Sequence, residues 1–409
     1  MEIFRAYDIR GIYPEEINEE VVFKIAAALV KFLNPDKIVV AHDTRKSSVL
    51  LKDSVTAAAM ASGVDVIDVG QVPAPLFYFA VNKFGAAGGI MVTASHNPPN
   101  YNGLKLVREK AIAIGEQNGL LQIKKLSENI EIKGIRKGKI IKESLEEEYK
   151  NYLLKKSGLS KEPKTENVKF EFDPDSDRLL VFEKTLRQAQ GKQIRADLLS
   201  GIIIKDFLEK QNFLGRIFRK PKFVYDLRFS RAIPEFIKEN GGEVIRSRVG
   251  HPFIKEAMRK NKAVFGAELS GHFYFKDVFY VEAPIMMKLK LLKIMTETGK
   301  SLAELIQPFE KYFHSGEINV EIRSKEQAVS IIQKIKENYK DARIDELDGI
   351  TVEYWDSSTG LRTPVTQSHW WFNLRPSNTE PVLRSVIEAE TQYIMEQKVS
   401  ELVKIINEG

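Results

Sequence analysis

Asp173, Asp175 and Asp177 in the segment FDPDSDR place three carboxylates at a spacing of two residues. An extended chain points alternate side chains the same way, so this spacing predicts that the three converge. Converging anions repel unless a cation sits among them. An oxygen-only donor set with open positions suits Mg²⁺, which keeps some of its waters and accepts a phosphate oxygen. A calcium-binding EF-hand loop also opens D-x-D-x-D, but it requires glycine at its sixth position and glutamate at its twelfth. Here those positions are Arg178 and Lys184. A second group lies in the turn Thr93 to Lys105, TASHNPPNYNGLK, which offers the Ser95 hydroxyl, the neighbouring His96 and the Lys105 ammonium. A serine hydroxyl becomes a nucleophile only with a base or a metal close by, so this turn alone is an ordinary polar loop. The third group, RPSNTEPVLR, carries Arg375 and Arg384 with the hydroxyls of Ser377 and Thr379. Arginine grips phosphate bidentately, and hydroxyls and backbone N–H groups complete such an anion cradle. In the fourth, GAELSGH, glycines permit close backbone approach while Glu268 and Ser270 can hydrogen-bond sugar hydroxyls. His251 and Arg10, taken singly, read as structural polar residues.

The elements around these groups follow from hydrophobic pattern. The first third alternates strand-like runs (Lys37 to Ala41, Val64 to Val69, Gly88 to Thr93) with helical ones (Ser48 to Ser62, Leu76 to Phe84). Such alternation predicts an α/β layer with a largely parallel sheet. Ligands gather at the carboxyl ends of such strands, which makes the polar turns His42 to Arg45 and Ala94 to Asn102 candidate site loops. A charged helix, Glu143 to Lys156, leads out of this layer, and Ser157 to Asn167 reads as a linker. A second α/β pattern runs from Phe223 to Phe265. From Glu317 strands flanked by two helices predict an α+β domain.

Composition narrows the chemistry. The chain has 409 residues, 43% apolar and 29% charged, which is the balance of a globular protein with several cores. It contains no cysteine, which excludes disulfides, thiolate metal sites and cysteine nucleophiles. The formal charge of +6 arises from interspersed acids and bases, without the basic runs and interleaved aromatics of a nucleic-acid platform. No stretch has the length and apolarity of a membrane span or signal peptide, so the expected address is the cytoplasm, with neither nucleic acid nor membrane as partner.

Read together and in order, YDIRG, TASHNPPNYNGLK, DPDSDR, GAELSGH and RPSNTEPVLR resemble the α-D-phosphohexomutase family, in its phosphomannomutase/phosphoglucomutase branch. The resemblance covers most of the chain. It implies consecutive mixed-sheet α/β domains followed by a C-terminal α+β domain: residues 1–145 with the phosphoserine loop, 146–210 with the metal loop, 211–310 with the sugar loop and 311–409 with the phosphate loop. It further implies a phosphosugar mutase, an intramolecular phosphotransferase that interconverts hexose 1-phosphate and hexose 6-phosphate of mannose or glucose. Ser95 would be phosphorylated, and Asp173, Asp175 and Asp177 would hold Mg²⁺ together with that phosphate. Lys105, Arg178, Arg10 and His96 would serve the transferring group. Glu268, Ser270 and His251 would contact the sugar, and Arg375, Ser377, Asn378, Thr379 and Arg384 would hold the phosphate that is not reacting. Hexose 1,6-bisphosphate would be intermediate and activator, and the enzyme a monomer or homodimer. Only Ser157 to Glu171 separates the first domain's last helix from Asp173, too few residues for a βαβ unit, so the second domain is expected to be shortened. Alternatives are a phosphoglucosamine mutase, a non-catalytic sugar-phosphate binder, and a phosphatase of the haloacid-dehalogenase type using Asp173 as nucleophile.

Overall fold

The computed structural model describes residues 3–131, 138–185, 188–210, 220–354, 369–377 and 381–408. Chain contacts divide it into two compact units: Met1–Ile194 with Met258–Gly266 and Ser270–Gly299, and Arg195–Ala257 with Ala267–Leu269 and Lys300–Gly409.

In the first unit the elements are β1 (Ile9–Ile12), α1 (Glu19–Leu33), β2 (Lys37–His42), α2 (Lys46–Ala61), β3 (Asp65–Gln71), α3 (Ala74–Lys83), β4 (Gly88–Val92), β5 (Tyr101–Arg108), β6 (Ile112–Ala113), α4 (Leu120–Glu128), β7 (Ile140–Lys142) and α5 (Glu146–Ser157). The helix α1 begins where the Asn18 side chain accepts the Val21 N–H and ends at Asn34 in the left-handed conformation. Its Val22, Ile25 and Leu29 join Ile38, Val40, Ile90 and Leu104 in one buried core. The sheet runs β1-β5-β4-β2-β3-β7, with β6 beside β5. Strands β2, β3, β4 and β7 are mutually parallel where they pair, while β5 is antiparallel to β4, β1 and β6. The sheet is therefore mixed, where alternation predicted a largely parallel one. The reason is local: β4 returns as β5 through residues 93–100, too few for a parallel crossover.

Residues 146–194 continue with α5 and then β8 (Val168–Phe172), β9 (Leu179–Thr185) and β10 (Gln188–Ile194), an antiparallel sheet in the order β10-β9-β8. Adjacent β8 and β9 form a hairpin with Phe172 opposite Leu179, and its turn is the aspartate segment.

In the second unit, strands Lys222–Asp226 and Glu243–Ser247 pair in parallel, with helices Ala196–Glu209 and Ala232–Glu239 close in sequence. The C-terminal part is an antiparallel sheet whose central strands are Ile350–Tyr354, Trp370–Pro376 and Val382–Ala389. Helices Lys325–Asn338 and Gln392–Asn407 start at side-chain caps from Ser324 and Thr391, and their apolar faces bury Ile331, Ile335, Leu402 and Ile406 against Val352, Phe372 and Ile387. This is the expected α+β arrangement. Among the described residues no helix is long and apolar enough to cross a membrane.

Candidate active site

Because β2 and β4 are parallel neighbours, the turn after β2 and the loop after β4 leave the same edge of the sheet. The loop after β4 carries Ser95. Its base is fixed by the Thr93 N–H bonded to the Gly103 carbonyl (2.9 Å), and β1 lies so close that a Cβ on Gly103 would come within 2.1 Å of the Ile9 carbonyl oxygen. Only glycine fits there. Ser95 is buried and takes a left-handed backbone (φ 53°), a conformation that costs a non-glycine residue about 1–2 kcal/mol. Its N–H donates to Thr93 Oγ1 (2.9 Å), and its Oγ lies 3.4 Å from His96 Nδ1. Burial, then Arg178 and Arg10, lower the affinity of His96 for a proton. Arg10, on β1, forms an ion pair with Asp8 and donates to Asn97 Oδ1 (2.5 Å).

The three aspartates do converge, each offering an oxygen within 4.8 Å of the others. The cause differs from the alternation expected of an extended segment. Residues 173–178 form a turn in which Asp173 Oδ1 accepts the N–H groups of Asp177 and Arg178 (3.0 Å each), the Asp173 carbonyl accepts the Ser176 N–H, and Ser176 is left-handed (φ 54°). The turn is docked by the Ala74 N–H, at the start of α3, on the Asp175 carbonyl (3.1 Å).

Ser95 Oγ donates to Asp175 Oδ1 at 2.9 Å. The buried Lys105 ammonium bridges Asp175 Oδ2 (2.6 Å) and Asp177 Oδ2 (2.8 Å). Burial opposes its charge, but the two carboxylates outweigh burial and raise its pKa well above the ordinary lysine value. For Asp177 burial is again opposed, by Lys105 and then His272, and its pKa falls well below the carboxylate range. Asp173 is pushed up to about 7 by burial and by its two acidic neighbours. Among the described residues its buried Oδ2 has no hydrogen-bond partner, with Arg178 Nε 3.7 Å away. Three converging carboxylates, of which only two share the Lys105 ammonium, with one Asp173 oxygen left over, fit a hard divalent cation.

Ser270 Oγ lies 3.0 Å from His272 Nδ1, and His272 Nε2 lies 3.2 Å from Asp177 Oδ1 and 3.3 Å from Arg178 Nε. The structure therefore puts Ser270 beside the aspartate turn. In the second unit, Glu268 Oε1 accepts the Gly250 N–H (2.9 Å), next to His251 at the start of helix His251–Asn261. Arg375 and Arg384 face each other across paired strands. Glu317 accepts from both at 3.3 Å and from Arg228 at 2.6 Å. Burial opposes the Glu317 charge, but Arg228 and the other two arginines lower its pKa. The Ser377 N–H bonds the Val382 carbonyl, whereas Asn378 and Thr379 lie outside the described residues.

Sequence reasoning missed His272, Glu317 and Arg228. His272 ends a motif already singled out for its glutamate and serine. Glu317 and Arg228 lie 58 and 147 positions before Arg375 in the chain, and no spacing links them to it. It also passed over Arg45 within the turn it flagged; a cleft of about 750 Å³ beside Ser95 is lined by Arg45, Tyr13, Asn97 and Pro174.

Comparison with known proteins gives this geometry its context. Models of phosphoglucomutase/phosphomannomutase match at residues 1–132 (alpha/beta/alpha domain I), 195–312 (alpha/beta/alpha domain III) and 317–405 (C-terminal domain). A phosphomannomutase of Methanocaldococcus jannaschii is 33% identical over 468 aligned positions, covering 99% of this chain and 97% of that protein. An Escherichia coli phosphomannomutase is 31% identical, covering 98% of each. A solved structure of a phosphoglucomutase/phosphomannomutase family protein from Burkholderia thailandensis superposes with a TM-score of 0.81 at 23% identity, covering 100% of this chain and 98% of that one. Matching models over most of its length and full-length relatives above 30% identity lead to one conclusion: the chain belongs to the phosphoglucomutase/phosphomannomutase family, the α-D-phosphohexomutases.

Proposed function

We propose that the protein is a hexose phosphate mutase that interconverts the 1- and 6-phosphates of mannose and glucose. In this reading Ser95 carries the phosphoryl group, and a hexose 1,6-bisphosphate is the intermediate. The observation that carries the reading is the Ser95 hydroxyl on Asp175, whose other oxygen shares the Lys105 ammonium with Asp177. The names of the full-length relatives point the same way.

In the forward transfer the P–Oγ bond of phospho-Ser95 breaks while a P–O bond forms to the free sugar hydroxyl. His96, held neutral beside Ser95, takes the hydroxyl proton and passes it to the departing Ser95 Oγ, which leaves as the free hydroxyl. The bisphosphate turns over, and its other phosphate returns to Ser95 with the proton moving back. Such transfers need positioning and charge neutralisation above all. Lys105, Arg178 and Arg10 supply fixed positive charge near Ser95. Mg²⁺, held by Asp173, Asp175 and Asp177, would add a Lewis acid at the phosphoryl oxygens. Glu268, Ser270 and His251 would contact the sugar. Arg375 and Arg384, with Ser377, Asn378 and Thr379, would grip the second phosphate. We assign these roles within four domains, residues 1–145, 146–210, 211–310 and 311–409.

The test is turnover of mannose 1-phosphate, glucose 1-phosphate and glucosamine 1-phosphate with Mg²⁺ and glucose 1,6-bisphosphate, alongside Ser95→Ala. Turnover of the first two substrates is expected, with loss of at least about 1,000-fold in the alanine variant. A variant that keeps its turnover would overturn Ser95 as carrier. Preference for the glucosamine substrate would move the specificity.

A further inference from the structure

Arg45 has its five N–H donors distributed over five acceptors. Nε donates to Asp43 Oδ2 (3.2 Å), one terminal nitrogen to the carbonyls of Pro98 (2.7 Å) and Tyr101 (3.1 Å), and the other to the carbonyls of Ser95 (2.8 Å) and Asn97 (2.6 Å). A guanidinium has five N–H groups and no more, so none is left for a phosphate or a sugar. Four of the acceptors are main-chain carbonyls: three from the loop that carries Ser95, including that of Ser95 itself, and one from Tyr101, where the loop enters β5. Asp43, which orients the guanidinium, is buried. It accepts from the Ser48 hydroxyl (2.5 Å) and the Arg45 N–H (3.0 Å), so the clamp is anchored in the first turn of α2.

From this geometry we infer that Arg45 is the positioning residue of the phosphoryl-carrying loop. It holds Ser95 in its left-handed backbone by binding the carbonyls on both sides of the turn, and thereby aims Oγ at Asp175. The inference rests on the reading of Ser95 as phosphoryl carrier. Arg45 is a positioning residue and not a catalytic one, because its donors are spent on backbone. A planar fork with five fixed donors can hold four carbonyls at once. A lysine ammonium has three donors at a point and cannot. A displacement of the reacting atom by a fraction of a residue is costly to a transfer that depends on alignment.

The experiment uses full-length protein, phosphorylated with glucose 1,6-bisphosphate and Mg²⁺, in wild-type, Arg45→Lys and Arg45→Met forms. Single-turnover transfer from the protein to glucose 6-phosphate is followed by rapid quench, and kcat and KM are measured separately. Transfer is expected to fall about 10-fold in Arg45→Lys and about 100-fold in Arg45→Met, in kcat, with KM within about twofold of wild type. Wild-type transfer in either variant, or a loss confined to KM, would overturn the inference. If Arg45→Met does not fold, the lysine variant decides alone. Peptide mapping of the labelled wild-type protein separates the two readings. A label absent from Ser95 defeats the carrier assignment, whereas a label on Ser95 with unaltered transfer in the Arg45 variants defeats only the clamp.

Discussion

Asp173 has two tasks that can be separated chemically. One oxygen closes the turn on the N–H groups of Asp177 and Arg178, and the other is buried with no hydrogen bond from the described residues, beside two further carboxylates. Asparagine keeps a carbonyl oxygen for the turn but loses the charge; alanine loses both. Asp173→Asn is therefore expected to fold with unchanged or higher stability in the absence of metal, because a repelled carboxylate has gone, and to bind Mg²⁺ about 100-fold more weakly. Asp173→Ala should in addition lose about 1–2 kcal/mol of stability with the turn's acceptor. Calorimetric Mg²⁺ titration and thermal melts of both variants check this; equal stability of the two would show that the turn closes without Asp173. At this scale the sequence disclosed the residue types of the site and hid their arrangement. Three acids at alternate positions announced a cation site, but a proline and a left-handed serine make the segment a turn, and alternation says nothing about turns. The five acceptors of Arg45 come from Asp43, three loop residues and the first residue of β5, and no spacing rule encodes that.

Two hairpins bring the chemistry together. One, β4 and β5, sets Ser95 at its tip and Lys105 on its returning strand; the other, β8 and β9, sets the aspartates at its tip. The first depends on β1 lying flush against β5 at Gly103. A methyl group there would meet the carbonyls of Ile9 and Thr93, backbone on both sides with nothing free to move. Gly103→Ala is expected to cost about 3 kcal/mol and to reduce activity further than stability, since the displaced strand carries Lys105. Denaturant unfolding with parallel turnover measurement tests it, and an alanine variant of native stability would refute the close packing. The elements themselves were legible. Strands β2, β3 and β4 and helices α2 and α3 fall where hydrophobic period placed them, because their cores are strongly apolar. The direction of β5 was not, since an eight-residue loop dictates a hairpin only once its two flanking runs are both known to be strands.

Across the whole chain, the relatives align over 468 and 477 positions against its 409 residues, so they contain segments that this chain lacks. Stability of the second unit carries its own signature. Glu388, buried on the third of the paired C-terminal strands, accepts from the Arg231 N–H and from Trp371 Nε1, and burial pushes its carboxyl up to about 7 from 4.5. A folded-state pKa above the unfolded one means that the folded state holds the proton more tightly. The associated stability is complete below the unfolded value and is lost as pH rises through the folded one. Wild-type protein should thus lose on the order of 2 kcal/mol between about pH 5 and pH 8 relative to Glu388→Gln, whose amide oxygen can keep both hydrogen bonds. Urea unfolding at both pH values checks it, and identical pH dependence in the two proteins would refute it.

The aspartate turn is closed by its own atoms: a carboxylate oxygen caps two following N–H groups, a carbonyl holds a third, and one hydrogen bond ties it to α3. Its shape is therefore written within a hairpin and owes little to the breadth of the sheet that supports it. That makes the aspartate turn a portable module. In this chain the turn keeps its shape on a support of three antiparallel strands, which is a template for trimming a longer family member around the same hairpin.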